Sequence, residues 1–282
     1  MYRCLCYTGL AVYISKPETK IKKPFTRALA LIIVLALMAA LLFAWAIYSD
    51  VIVLRKTQDM AGSKDAITIL FVGDSFVFVG SLPKQLQTVA GAYGIEINYK
   101  DLSRHANRGG TLREHKENAI KEMQSGRFDY VVLHDQNTQS LNDIAGLQDD
   151  IRTLCGAAKE NGVVPVLYDL AGIAAYGRPD EDRLRVSIDA YKQAADENGA
   201  ILIRAAEAWI YAYQEIPGVS LYTRHDPRGL HPNKAGGFMS ACVFAAALFD
   251  VHVESVPKNS LYKGKDGAAL AQAAWEFVQS SR

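Results

Sequence analysis

The sequence predicts a single α/β domain built on a parallel sheet and preceded by one transmembrane helix. Three observations support this prediction. Half of the 282 residues are hydrophobic, which is enough for one ordinary core and an appendage. Apolar strand-like runs alternate with helical patterns from residue 67 onwards, and an uncharged run of membrane-spanning length stands before them.

The uncharged run covers residues 28–48. As a helix it would span about 31 Å, the thickness of a bilayer's hydrocarbon core. Six basic residues and a single Glu18 precede it, so the positive-inside rule places residues 1–27 in the cytoplasm and everything beyond the span outside. A cleaved signal peptide is the alternative, because residues 44–46, Ala-Trp-Ala, match a small-x-small cleavage pattern. Residues 49–66 are predicted to be a tether.

The folded domain is predicted to cover residues 67–282. Its strand candidates are the apolar runs at 67–72, 95–102, 130–133, 163–168 and 201–203. Its helical patterns lie at 82–93, 112–124, 141–159, 182–197, 233–249 and 268–278. Because strands alternate with helices, right-handed crossovers should produce a parallel five-stranded sheet covered on both faces. Ligands of such sheets bind beyond the carboxyl ends of the strands.

Polar residues follow three of the predicted strands and also fill the long loop before the helix at 233–249. The first strand leads to Asp74 and Ser75, the second to the pair Gly109-Gly110, and the third to His-Asp-Gln-Asn at 134–137. The long loop contains His231, followed by Pro and Asn. A hydroxyl, paired glycines, amides and a histidine at one sheet edge together indicate a hydrolase.

These blocks resemble the SGNH (GDSL-type) esterases and acylhydrolases. The segments that carry the resemblance occur in the family's order between residue 67 and about residue 247: GDSF…LPKQL, GGTLREH, DYVVLHDQN, AAEAW and LHPNKAG. The third block has Gln where the family usually has Asn, so the chain looks most similar to bacterial members with a Gln-containing third block. The resemblance implies a flavodoxin-like three-layer α/β/α sandwich.

The resemblance also implies a role for each site residue. Ser75 would be the nucleophile and His231 its general base, because a serine hydroxyl is a poor nucleophile until an imidazole takes its proton. The oxyanion of the intermediate would be bound by the backbone N–H groups of Ser75 and Gly109 and by the side-chain amide of Gln136. Gly110 is the alternative to Gly109.

The position of the triad acid departs from the family pattern. The acid usually lies three residues before the histidine, and that position is Arg228 here. Asp226, five residues before His231, is the only acidic residue between Glu215 and Asp250 and is therefore the predicted triad acid. A Ser-His dyad that uses a backbone carbonyl and an impaired site are alternatives. Two carboxylates on other strand ends are further alternatives: Glu207 and Asp169.

The sequence therefore predicts a membrane-anchored, outward-facing serine esterase that cleaves O-acyl groups, such as acetyl groups on an envelope glycan, or lipid esters. An O-acyltransferase that shares the acyl-enzyme and a binding module built on an impaired hydrolase are the alternatives. No histidine pair has a metal-ligand spacing, and no nucleotide-binding signature follows any strand, so we expect neither metal nor cofactor. The main domain has no basic excess, which argues against nucleic-acid binding.

Overall fold

A computed structural model of the chain describes residues 35–38, 66–103, 110–136, 139–170, 174–175, 178–223 and 231–282. The chain divides into two units, Met1–Arg55 and Lys56–Arg282. In the first unit, residues 35–38 form a helical turn that exposes Leu35, Leu37 and Met38. The rest of the predicted span at 28–48 lies outside the described residues. Within the described part of the chain, we find no helix with both the length and the apolar character needed to cross a bilayer.

The second unit alternates strands and helices, as the sequence predicts. Its strands are β1 (Ile67–Val72), β2 (Ile97–Asp101), β3 (Tyr130–Leu133), β4 (Val164–Tyr168), β5 (Ala174–Ala175), β6 (Arg178–Pro179) and β7 (Ile201–Ile203). Its helices are α1 (Ser75–Phe78), α2 (Leu82–Gly91), α3 (Leu112–Met123), α4 (Gln139–Asn142), α5 (Ile144–Glu160), α6 (Glu181–Asn198), α7 (Ala205–Glu215), α8 (Lys234–Phe249) and α9 (Gly267–Ser280).

Five of these strands form the predicted parallel sheet, in the order β2-β1-β3-β4-β7. This is the flavodoxin-like strand order, in which the chain reverses its direction of travel across the sheet between β1 and β3. Loops diverge at such a reversal and leave a crevice beyond the strand ends. The residues that follow β1 and β3 therefore lie where ligands of this fold bind.

The strands alternate their side chains between two apolar layers. In β1, Ile69 and Phe71 pack with α2, α7, α8 and α9 on one face, whereas Leu70 and Val72 pack with α3, α5 and α6 on the other. This alternation follows from the two-residue period of a strand. The sheet is thus covered by helices on both sides, and the three-layer α/β/α architecture is confirmed.

Three features of the fold were not predicted from the sequence. The short helices α1 and α4 and the two-residue strands β5 and β6 are too brief to leave a periodic pattern. Helix α7 is longer, but its N-cap residue Arg204 makes no side-chain capping hydrogen bond. The cap comes instead from Asp169, at the end of β4, which accepts a hydrogen bond from the backbone N–H of Ala206 at 2.9 Å.

Candidate active site

Ser75 is the first residue of α1 and lies directly beyond the end of β1. Asp74 caps this helix, because its carboxylate accepts a hydrogen bond from the Phe76 backbone N–H at 2.7 Å. Gly73 allows β1 and β3 to approach closely here: a Cβ at this position would lie only 3.0 Å from the carbonyl oxygen of His134. The strand end and the capped turn together hold Ser75 at the carboxyl edge of the sheet.

His231 contacts Ser75, as the sequence predicts. Its Nε2 lies 2.9 Å from the Ser75 Oγ, which is hydrogen-bonding distance. The carbonyl oxygen of His231 accepts a hydrogen bond from the Thr223 N–H at 2.8 Å, and the ring packs against Phe76 with 5.7 Å between the ring centroids. The two side chains are half-buried, so the pair is accessible to a ligand.

The Pro-Asn pair after the histidine explains how the loop end is fixed. Pro232 pairs with Tyr222 in an isolated antiparallel bridge. Asn233 caps α8 by accepting a hydrogen bond from the Gly236 N–H, and its side-chain amide donates to the carbonyl oxygens of Ser220 and Tyr222 at 2.7 and 3.0 Å. His231 is therefore held on an anchored segment at the start of a buried helix.

The start of α8 is in turn packed against the turn that follows Ser75. A Cβ at Gly237 would overlap the carbonyl oxygen of Gly80, so this contact requires glycine. Gln85 joins the same two segments, because its side-chain amide donates to the carbonyl oxygens of both Gly80 and Lys234 at 2.9 Å. The contact between nucleophile and base depends on this close approach.

The remaining predicted site residues are only partly described. Gln136 follows β3 and lies half-buried at the carboxyl edge of the strand that pairs with β1. Gly110 is buried and has a φ of +58°, which favours glycine. Gly109 and Asp226 lie outside the described residues. Their roles in the oxyanion hole and the triad therefore stay predictions.

The two alternative triad acids, Asp169 and Glu207, both interact with residues at the start of α7. Asp169 accepts the Ala206 N–H, and Glu207 makes a two-pronged ion pair with Arg204 at 2.6 and 2.7 Å. Both carboxylates thus have structural partners at a helix N-terminus, where negative charge is favourable. These contacts favour a structural role for the pair.

A buried pair of residues, His134 and Asp74, lies behind the proposed nucleophile, and the sequence motifs assign neither of them a role. His134, at the end of β3, is 1% exposed, and Asp74 is 2% exposed. The Nδ1 of His134 lies 2.8 Å from the carbonyl oxygen of Tyr168, and its Nε2 lies 3.2 Å from the Asp74 carboxylate. The Nδ1 contact is a hydrogen bond, whereas the Nε2 contact is an ion-pair distance without hydrogen-bond alignment. Because a carboxylate lies this close to Nε2, we expect a doubly protonated imidazolium.

The pKa of His134 agrees with this interpretation. Burial lowers that pKa, but the Asp74 carboxylate, the Tyr168 carbonyl and the nearby Asp135 charge together raise it above its ordinary value of 6.5. No local pattern in the sequence indicates this contact, because it depends on the pairing of β1 with β3. Val72 lies opposite Leu133, so the polar residues after the two strands meet at the same edge of the sheet.

Two other buried carboxyl groups at this edge have raised pKa values. Burial raises the pKa of Asp135 from 3.8 to about 6, against the lowering effect of the Leu112 and Gln136 N–H groups. Burial likewise raises the pKa of Asp169 from 3.8 to about 7. Among the described residues, no group of His, Cys, Asp and Glu side chains could hold a metal ion.

Comparison with solved structures supports the fold. The chain is similar to a candidate SGNH hydrolase from Slackia heliotrinireducens, with a TM-score of 0.52 and 24% identity over 65% of this chain and 100% of that one. A DUF4886 family protein from Bacteroides uniformis ATCC 8492 is similar with a TM-score of 0.61 and 18% identity, over 77% of this chain and 96% of its own. The chain shares its fold with these two proteins.

No protein-family model and no curated protein matches the sequence. At these identities the structural likeness establishes the fold, and the activity has to be argued from the site. The α/β/α architecture expected from the sequence is supported, whereas membership of the SGNH family and of its branch with a Gln-containing third block stays a prediction.

We expect both ring nitrogens of His134 to carry protons at neutral pH, because each faces an oxygen acceptor. Imidazole 15N NMR of the folded protein measures this directly. His252, at the opposite end of α8 from His231, serves as the comparison, since its Nε2 contacts only a neutral amide oxygen, that of Gln272, at 2.9 Å. A His134 ring with a deprotonated Nε2 at pH 7 would contradict the imidazolium.

The ion pair of His134 with Asp74 should make the free energy of unfolding depend on pH. The folded pKa of His134 is raised, so its contribution to stability is complete below pH 6.5 and is lost as pH rises through the folded pKa. The free energy of unfolding, measured by urea denaturation, should therefore fall as the pH is raised above 6.5. This fall should be smaller in His134→Gln and unchanged in His252→Gln.

Proposed function

We propose that the chain is a serine esterase that cleaves O-acyl esters through an acyl-enzyme on Ser75. The observation that carries this proposal is the 2.9 Å contact between the Ser75 Oγ and the His231 Nε2, at the strand reversal where ligands of this fold bind. The likeness to a candidate SGNH hydrolase supports it through the fold. Acetyl esters of an envelope glycan and lipid esters are the proposed substrates.

The proposed reaction uses one imidazole twice. The Ser75 Oγ forms a bond to the ester carbonyl carbon while its proton passes to the His231 Nε2, and the carbonyl π electrons move onto oxygen. Collapse of this intermediate breaks the bond to the alcohol oxygen, which takes the proton from Nε2. Water then repeats the sequence on the acyl-enzyme and releases the acid.

The oxyanion of both intermediates would be bound by preorganised donors. The proposed donors are the backbone N–H groups of Ser75 and Gly109 and the side-chain amide of Gln136, each worth about 3 kcal/mol on the scale of known oxyanion holes. The position of Gln136 just beyond the end of β3, the strand that pairs with β1, supports this assignment. A binding module built on an impaired site is the competing interpretation, and the contact between Ser75 and His231 counts against it.

Ser75→Ala should abolish both ester hydrolysis and labelling by a serine-reactive fluorophosphonate. Loss of a triad nucleophile costs several orders of magnitude in kcat, because no acyl-enzyme can form. The matched control is Ser125→Ala, which removes a hydroxyl at the far end of α3 and should leave both readouts unchanged. Hydrolysis by Ser75→Ala at the wild-type rate would reject the proposed nucleophile, and an unlabelled, inactive wild type would favour the binding module.

Asp226→Asn should lower kcat strongly without unfolding the protein. The Nε2 of His231 can accept the serine proton only if its Nδ1 carries a proton, and a carboxylate stabilises that tautomer. The loss of a triad acid costs about 10⁴-fold in kcat. Glu215→Gln, which removes the preceding acidic residue of the chain, is the control. Activity of Asp226→Asn within about threefold of wild type would favour a Ser-His dyad.

We further propose that residues 28–48 remain attached as a membrane anchor and that the domain lies on the extracytoplasmic side. The uncharged run and its basic N-terminal flank support this arrangement. The mature protein should then begin near Met1, and a C-terminal reporter should be active only outside the cell. Leu35→Arg combined with Leu37→Arg should weaken insertion, since each central charge costs about 3 kcal/mol. A mature N-terminus near residue 47 would instead show a cleaved signal peptide.

A further inference from the structure

Asp135 joins two segments of the candidate oxyanion hole through a single oxygen atom. Its Oδ1 accepts hydrogen bonds from the backbone N–H of Leu112 at 2.9 Å and from the backbone N–H of Gln136 at 2.7 Å. The residue is 2% exposed, so water does not compete for these bonds. One buried acceptor therefore fixes the distance between the start of α3 and the residue after β3.

The first of these bonds fixes the start of α3, next to Gly110. Leu112 begins α3, and the N–H groups of a first helical turn have no partner within the helix. A carboxylate at this position satisfies one of them and interacts favourably with the helix dipole. Gly110 lies only two residues earlier, so the bond to Leu112 also restrains the position of this glycine.

The second bond fixes the direction in which the chain leaves β3. Gln136 is the residue next to Asp135, and its own N–H is turned towards the Asp135 side chain. The backbone of Asp135 is also held, because its N–H donates to the Tyr191 hydroxyl on α6 at 2.9 Å. Tyr191 is 2% exposed. Contacts with α3 and α6 thus hold Asp135 in place.

The charges around Asp135 support an ionised acceptor at neutral pH. Burial is the main cause that raises the pKa of Asp135 to about 6. The charge of His134 lowers this pKa, and the charge of Asp150 raises it. Above this pKa the carboxylate accepts both N–H groups as a charged partner, and such hydrogen bonds are stronger than neutral ones.

We propose that Asp135 is a positioning residue that sets the geometry of the oxyanion hole by holding Gly110, two residues before Leu112, and Gln136 at a fixed spacing. This inference rests on the proposed esterase function. Asp135 does not touch the reacting atoms in this role. It acts through the two segments that donate to the oxyanion.

The test compares Asp135→Ala with Asp135→Asn. The alanine variant loses the shared acceptor, so kcat should fall by about 10²-fold, the scale of one oxyanion donor, while KM changes less than about threefold. The asparagine variant keeps an oxygen acceptor and should recover most of kcat. If Asp135→Ala does not fold, Asp135→Ser replaces it, because its shorter side chain cannot reach both N–H groups.

A double-mutant cycle separates positioning from general stability. If Asp135 acts through Gln136, the losses of kcat in Asp135→Ala and Gln136→Ala should not multiply when the two are combined. The control is Asp180→Ala, which removes the cap of α6 and should lower the melting temperature with kcat unchanged. Fully multiplicative losses in the cycle would overturn the proposal.

A readout independent of activity keeps this inference distinct from the proposed function. Amide hydrogen exchange should show that Leu112 and Gln136 are protected in the wild type and that both lose protection together in Asp135→Ala. Unchanged exchange at these two amides would overturn the proposal even in an active enzyme. Failure of the wild type to hydrolyse esters or react with a fluorophosphonate would reject the esterase function itself.

Discussion

Three buried aspartates, each directly beyond the end of a parallel strand, fix the architecture of this domain. Asp74, Asp135 and Asp169 follow β1, β3 and β4, and each accepts a backbone N–H from the first turn of a helix, α1, α3 and α7 respectively. A buried carboxylate is costly without hydrogen-bonding partners, and a helix start leaves N–H groups without partners. The N–H groups at the helix starts supply the hydrogen bonds that the buried carboxylates require. The helix starts are thereby fixed to the strand ends, and the candidate site lies among them.

This arrangement places several acidic groups in a small, poorly solvated region. His134 offsets one of them by pairing with Asp74. The pKa values of Asp135 and Asp169 are raised to about 6 and about 7, chiefly by burial. An acid with a raised folded pKa holds its proton in the folded state at pH values where the unfolded chain has released it. Such groups therefore favour the folded state less as pH rises from about 4 towards 7.

The sheet could be predicted from the sequence because buried parallel strands are continuous apolar runs, and all five were found near their true positions. The pairing of Ser75 with His231 was also predictable, since both residues lie in recognisable blocks after strand ends. The contacts of Asp135 and His134 could not be predicted. They depend on which strands are neighbours and in what register, and a local pattern does not contain that information. Helix α7 was missed for a related reason, because its cap comes from another strand.

Ser75 and His231, the proposed nucleophile and its proposed base, lie 156 residues apart in the chain. They meet only because α8 packs against the turn after Ser75 through the contact of Gly237 with Gly80. A chain emerging from the ribosome contains Ser75 long before His231, and the entropy cost of closing so long a loop must be met before such a contact forms. The contact between the two residues therefore requires that α8 is docked beside the turn after Ser75. Under the proposed mechanism, a chain truncated before residue 231 would have a serine with no base beside it.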